Sequence, residues 1–133
     1  MSLRITLADD ARCPCQSGDT YGNCCGRYHS GAATAPTAEA LMRSRYAAFA
    51  RGDADYLRRT WHPSTRPDTL DLDPEQHWLR LDVLATTGGG PFDTTGTVDF
   101  EAFYRYGRVR ESLREHSRFV RENGQWLYVD ALA

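Results

Sequence analysis

Cys13, Cys15, Cys24 and Cys25 are the only four cysteines among 133 residues, and all lie in the stretch RCPCQSGDTYGNCCGRYH, residues 12–29. Thiols gathered this closely can pair as disulfides, sit buried for unrelated reasons, or bind a metal ion. Two bridges are a poor fit, because neighbours such as Cys24 and Cys25 have Cβ atoms badly set for an S–S bond, and a reducing compartment disfavours cross-pairs. Burial is a poorer fit still, since the stretch holds few apolar residues. A metal suits it better. Cys13 with Cys15 forms one arm of a tetrahedron and Cys24 with Cys25 the other. Gly18 and Gly22 permit the turns that fold the arms together, and Gly26 lets the chain leave sharply. The C-x-C-x8-C-C spacing differs from ordinary zinc fingers, so it suggests a metal without naming the ligand set. His29, four residues on, is either a spare ligand or a surface histidine after a turn. Zinc is the expected ion, with iron the alternative that thiolates also accept. Four thiolates would leave no open position for water, which makes the site structural rather than catalytic.

A knuckle this small needs elements to hold it. The chain is 41% hydrophobic and 26% charged with a formal charge of −2, a composition for one globular domain with a small appendage. A pI of about 6.1 gives no general basic field for nucleic acid or anionic membrane. No apolar run approaches the ~20 residues of a membrane span. The first residues, with Arg4, Asp9 and Asp10, do not read as a signal peptide, so the expected location is the cytoplasm.

After the small-residue linker SGAATAPTAEA, apolar residues Leu41, Met42, Tyr46, Phe49 and Ala50 recur at helical spacing. Thr37 is placed to cap that helix, Glu39 lies in its first turn and Gly52 ends it. Asp53 caps a second, shorter helix ending before Pro63, and a helical turn is expected near DPEQHW. From residue 78 the period changes to two. Leu79, Leu81 and Val83 alternate with Trp78, Arg80 and Asp82; Val98, Phe100, Ala102 and Tyr104 share one face; Leu113, Glu115, Ser117 and Phe119 share another. QWLYVDALA closes the chain as a last strand, and Gly107 and Asn123–Gly124 are hairpin signals. The fold class is α+β, two to three helices on an antiparallel meander of about four strands.

Catalytic candidates follow from which side chains face inward. Glu115 and Ser117 share a face with Leu113 and Phe119, so both point at the helices. A carboxylate among apolar groups would serve as an acid or base, unless an arginine such as Arg43, Arg45, Arg58 or Arg59 pairs with it. His62, at the end of the second helix, is a further candidate whose simpler role is packing beside Trp61. His77 reads as a surface residue, and His116 has the wrong parity to join Glu115. Asp82 and Asp130 read as solvent-facing or strand-end residues. Phe100, Tyr104, Phe119, Trp126 and Tyr128 read as core. TGGGPF lacks the lysine of a phosphate loop. The row Arg105, Arg108, Arg110, Arg114, Arg118 and Arg121 alternates with acids and reads as a salt-bridged sheet face, with an RNA-docking stripe as the weaker alternative.

CPCQSGDTYGNCCG resembles the SEC-C motif, the zinc knuckle at the C-terminus of the protein-export ATPase SecA, through Cys13, Cys15, Ser17, Gly18, Cys24, Cys25 and Gly26. The resemblance implies that the four cysteines are zinc ligands. Gln16 stands where glycine is common, and an ordinary φ is expected there. LMRSRYAAFARGDADYLRRTWHP, GTVDFEAFYRYG and EHSRFVRENGQWLYVDA resemble the YchJ-type family of bacterial proteins. Those join such a knuckle to a nuclear-transport-factor-2-like cone, in which helices pack into a curved sheet. The implied division is a knuckle over residues 1–30 and a cone domain over 31–133. Many members carry a second knuckle after the last strand, and this sequence shows one.

Three roles are therefore expected. In the first, favoured one, the knuckle docks a protein partner through Tyr21, Arg27 and Tyr28, a ribosome or chaperone by analogy with SecA, while the cone binds a ligand, a peptide or a second copy as a homodimer. In the second, the cone pocket performs proton transfer, as an isomerase or dehydratase would. In the third, zinc only clasps the N-terminal segment to a ligand-binding cone.

Overall fold

The computed structural model describes residues 6–132. Residues 1–5, with the Arg4 named in the signal-peptide expectation, and residue 133 lie outside the described residues. Three helices precede four strands: α1 (Cys25–His29), α2 (Ala38–Arg51), α3 (Ala54–Arg59), β1 (Gln76–Gly88), β2 (Thr95–Tyr106), β3 (Val109–Glu122) and β4 (Gln125–Ala131).

Helix α2 forms where its signals place it. Thr37 Oγ1 accepts from Ala40 N at 3.0 Å, which satisfies one of the orphan donors of the first turn. Glu39 pairs with Arg43 at 3.0 Å one turn on. Gly52, at φ 73°, closes the helix in the left-handed conformation that glycine adopts without strain. The buried residues of α2 exceed its apolar stripe, since Ser44 and Arg45 are also covered. The reason is that the helix packs against β1, β2 and β4 as well as α1 and α3. Helix α3 starts from Asp53, whose carboxylate accepts from Tyr56 N at 3.2 Å. It stops well before Pro63, because the chain turns there to bridge Trp61 with Tyr128 of β4. The helical turn expected near DPEQHW is instead a turn in which Asp73 Oδ1 accepts from Glu75 N at 2.9 Å, leading into β1.

The strands form one antiparallel sheet in the order β1-β2-β3-β4, each hairpin joining neighbours. Gly107 (φ 56°) turns β2 into β3, and Asn123 (φ 53°) with Gly124 (φ 76°) turns β3 into β4, as paired left-handed residues do in tight hairpins. The registers Phe100↔Glu115, Val98↔Ser117 and Gly96↔Phe119 put these residues on the helix-facing side. Strand β1 departs from simple alternation. Its register slips between Trp78 and Arg80, so Leu79 is the extra residue of a bulge and Trp78 turns inward with Leu81. Trp78 packs against the core, while Leu79 stays 37% exposed.

Leu41, Val98, Phe119 and Trp126 anchor the core between α2 and the sheet, each large apolar side chain contributing roughly 1.5–3 kcal/mol. The opposite sheet face is polar. Arg114 pairs with Asp99 at 2.9 Å and Arg118 with Asp130 at 3.1 Å, whereas Arg105 and Arg121 of the same row donate to the carbonyls of Gly107 and Pro91.

Candidate metal centre and cone cavity

The knuckle is built by short-range hydrogen bonds. Arg12 and Thr20 form a one-bridge antiparallel ladder, with Cys13 N donating to Asp19 O at 3.1 Å and Tyr21 N to Ala11 O at 2.7 Å. A turn closed by Gln16 N on Cys13 O, 3.0 Å, swings Cys15 back beside Cys13. Cys24 and Cys25 arrive at the first turn of α1. Gly26 is needed there: a Cβ on it would lie 2.6 Å from Tyr21 O.

The four sulfurs lie within 4.8 Å of one another, with Cys15 Sγ 3.6 Å from Cys24 Sγ and Cys24 Sγ 3.9 Å from Cys25 Sγ. A tetrahedron with metal–sulfur bonds near 2.3 Å has edges of about 3.8 Å, so the set fits a four-coordinate ion and can hold a metal. None of the four is in a disulfide. Ser17 Oγ lies 3.2 Å from Cys24 Sγ, a second-layer hydroxyl at the sulfur that is least buried. Without an ion the thiols compete for protons. Hydrogen bonds from Cys13 and then Cys25 hold the Cys15 thiol far below its usual range. The bond to Cys15 pushes Cys13 up to about 12, and bonds to Cys13 and Cys15 raise Cys25. A bound cation would replace those shared protons and act as a cross-link between the two arms.

The knuckle rests on the cone. Cys13, Cys15, Cys25 and Tyr21 form one buried cluster with Ala47 of α2. Gln16, expected at an ordinary φ, sits at φ 65°. Its side chain compensates by donating from Nε2 to Leu79 O at 2.8 Å and accepting from Leu81 N at 3.2 Å, which ties the knuckle to the bulged edge of β1. Arg59 Nη2 donates to Tyr28 O and His29 O, both at 2.9 Å. His29 is neither a ligand nor a surface residue. Its Nε2 meets Ser44 O at 2.8 Å and its Nδ1 meets Tyr21 OH at 2.5 Å. The carbonyl only accepts, so the neutral ring carries its proton on Nε2, and burial lowers its basicity. Tyr21, expected to face a partner, is 5% exposed because its hydroxyl is spent on that histidine. Tyr28 is half-buried against the core, and Arg27 is exposed.

Beyond α2 a cavity of about 320 Å³ opens between the helix and the sheet. Glu115 lines it, and Glu115 Oε2 accepts from Ser117 Oγ and from Tyr128 OH at 3.1 Å. Glu115 and Ser117 therefore share the helix-facing side of β3 and are bonded to each other. The carboxylate is bonded to hydroxyls, and no arginine pairs with it among the described residues. His62 is not brought to them: its Nε2 reaches Glu122 at 3.0 Å and its Nδ1 accepts from Ser64 N at 3.1 Å. Its neighbour Trp61 does line the cavity. So does Arg45, whose guanidinium lies 5.1 Å from the Trp61 ring and 4.7 Å from the Tyr128 ring. Burial pulls the Arg45 pKa down to about 10.

Residues 37–131 match the family model described as YchJ, middle NTF2-like domain. The chain belongs to the YchJ family. Residues 11–27 match the SEC-C motif, so the thiol cluster of this YchJ-family chain coincides with that motif. The chain is 59% identical over 118 residues to the UPF0225 protein SCO1677 of Streptomyces coelicolor, covering 89% of this chain and 92% of that one. The solution structure of RPA3114, a SEC-C motif containing protein from Rhodopseudomonas palustris, superposes with a TM-score of 0.79 at 39% identity, over 91% of this chain and 97% of that chain. The crystal structure of a SEC-C motif containing protein from Psychrobacter arcticus gives a TM-score of 0.77 at 27% identity, over 93% and 84%. Among the described residues no helix of this YchJ-family chain is long and apolar enough to cross a membrane. Sequence reasoning missed the inward turn of Tyr21 and His29 and the place of Trp61 at the cavity, and it named Arg45 only as one of four arginines that could pair with Glu115. Arg45 did carry a signal, one helical turn before Phe49 and beside Tyr46.

Proposed function

We propose that the chain is a zinc-clasped binding protein. One zinc ion on Cys13, Cys15, Cys24 and Cys25 fixes the N-terminal segment to α2, and the cone takes a small molecule in its cavity. The observation that carries this reading is the packing of Cys13, Cys15, Tyr21 and Cys25 on Ala47. The thiols sit against the helix whose side chains Arg45, Tyr46 and Phe49 line the cavity. The docking role keeps Arg27 but loses Tyr21 to the interior, and for that reason the clasp is favoured over it. The proton-transfer role is favoured less, since Glu115 has hydroxyl partners and His62 is held elsewhere. Unpaired thiols kept for a metal suit a reducing compartment such as the cytoplasm.

The test is elemental analysis combined with amide hydrogen exchange, before and after chelation. The clasp predicts one zinc per chain, and loss of protection at Leu81 and along α2 once the metal is removed. Unchanged protection in the cone, together with a protein partner captured only by the metal-loaded chain, would favour docking instead.

A further inference from the structure

Two donors at the cavity meet no acceptor of the protein. Arg45 is 3% exposed, and its side-chain bonds both leave from Nη1, to Leu57 O at 2.8 Å and Thr60 Oγ1 at 2.7 Å. Among the described residues Nε and Nη2 have no acceptor, and no carboxylate forms an ion pair with the guanidinium. Trp61 Nε1, by contrast, is the one buried side-chain nitrogen or oxygen without a partner among the described residues. Both side chains line the cavity. Buried donors are nearly always satisfied, and a buried charge is paired or bonded throughout. An arginine this covered, with Nε and Nη2 unpaired at a cavity, therefore marks the place of a missing acceptor.

The remaining wall decides what carries that acceptor. Tyr46, Phe49, Trp78 and Leu113 offer flat or apolar surface. A cation is disfavoured, because Arg45 already occupies the faces of Trp61 and Tyr128 and would repel a second positive charge. Glu115 on the same wall limits the charge of an anion beside Arg45, and so favours a monoanion over a dianion such as phosphate. A cavity of about 320 Å³ lies at the small end of ligand sites. We infer that the cone cavity binds a small aromatic carboxylate, its oxygens on the free Nε and Nη2 of Arg45 and its ring against Tyr46, Phe49 and Trp78. This rests on the reading of the cone as a ligand site and names the chemistry of that ligand.

Calorimetric titration of the zinc-loaded full chain with three probes of one indole body tests it: indole-3-acetate, indole-3-acetamide and tryptamine. The acetate should bind at least about tenfold more tightly than the amide, as a charge-assisted bidentate pair requires, and tryptamine should give no heat. Arg45→Met, which keeps the side-chain bulk, should bring the acetate down to the level of the amide. Should that variant fail to fold, Leu113→Trp decides. Leu113 is 45% exposed at the rim, and an indole there should close the cavity and abolish binding. Amide or tryptamine binding as tight as the acetate overturns the carboxylate while leaving the cone a ligand site. Silence from all three probes overturns both readings. Acetate binding that survives Leu113→Trp overturns the assignment to this cavity.

Discussion

Gln16 and Leu79 meet across the whole interval between knuckle and sheet: the Gln16 Nε2 donates to Leu79 O over 2.8 Å. Leu79 is the bulge residue of β1, an outer strand of the sheet with no strand on its far side. A side-chain amide supplies what a neighbouring strand would, and it blunts an otherwise open sheet edge.

Replacing Gln16 separates two contributions. Gln16→Ala removes both bonds to β1 and keeps a Cβ at φ 65°; the expected loss is about 2 kcal/mol, from two hydrogen bonds of ~0.5–1.5 each, and the ~1 kcal/mol of left-handed strain is common to both chains. Gln16→Gly removes the same bonds without the strain and should cost about 1 kcal/mol. Urea unfolding of the zinc-loaded chain measures both. Equal losses would show that the backbone there is unstrained.

Metal affinity should rise with pH. Cys13 and Cys25 hold their protons above the usual thiol range, so at neutral pH an incoming ion must displace them. Each displaced proton strengthens binding about tenfold per pH unit. Cobalt titration, read by its thiolate absorption, should saturate at about one equivalent and tighten between pH 6 and 8. Cys15→Ser should abolish the thiolate band of a complete four-sulfur site.

Gly26→Ala probes the knuckle while sparing the cone. The added methyl would meet Tyr21 O at 2.6 Å, where Gly26 N now donates at 2.8 Å. A strained start to α1 should weaken cobalt binding by about 1–3 kcal/mol. The near-ultraviolet dichroism of the Trp126 and Phe119 core should be unchanged. A collapse of that signal would show that the knuckle is indispensable to the cone.

His29 makes the fold acid-sensitive. Burial lowers its pKa below 6.5, so the unfolded chain takes up a proton at a pH where the folded chain does not. Stability is then full above pH 6.5 and falls as pH drops from 6.5 through the folded value, by up to about 1.4 kcal/mol per unit. His29→Gln, which cannot titrate, should flatten that slope. Both chains are melted between pH 7 and 5 in saturating zinc, and parallel curves would remove His29 as the cause.

Local signals were legible wherever they act locally. Thr37, Gly52, Asp53, Gly107 and Asn123–Gly124 cap and turn the chain through their own backbone preferences, and each does so in the structure. The inward set Leu113, Glu115, Ser117 and Phe119 followed from parity along a strand without bulges. Parity failed in β1, because the extra residue Leu79 answers to Gln16, far away in sequence. The cysteines were legible as a cluster, whereas the inward turn of Tyr21 depends on His29 and Ser44, and so on packing. Nothing local singled Arg45 out from Arg43, Arg58 and Arg59 as the covered arginine, because an arginine on a helix ordinarily reaches water. Here α3, Trp61 and Tyr128 close over it.

The exchange between Tyr128 and the end of α3 has a consequence in time. Tyr128 N donates to Thr60 O at 2.8 Å, and His62 N donates to Tyr128 O at 2.7 Å, so the backbone that follows α3 docks on the last strand. Each earlier hairpin pairs with the one before it and can form as the chain emerges, and the knuckle draws its ligands from a few successive turns. The cavity is different: Trp61 and Tyr128 share its wall, so it has no complete wall until β4 arrives. During synthesis the metal centre can be assembled on an unfinished protein, while ligand recognition must wait for the final hairpin.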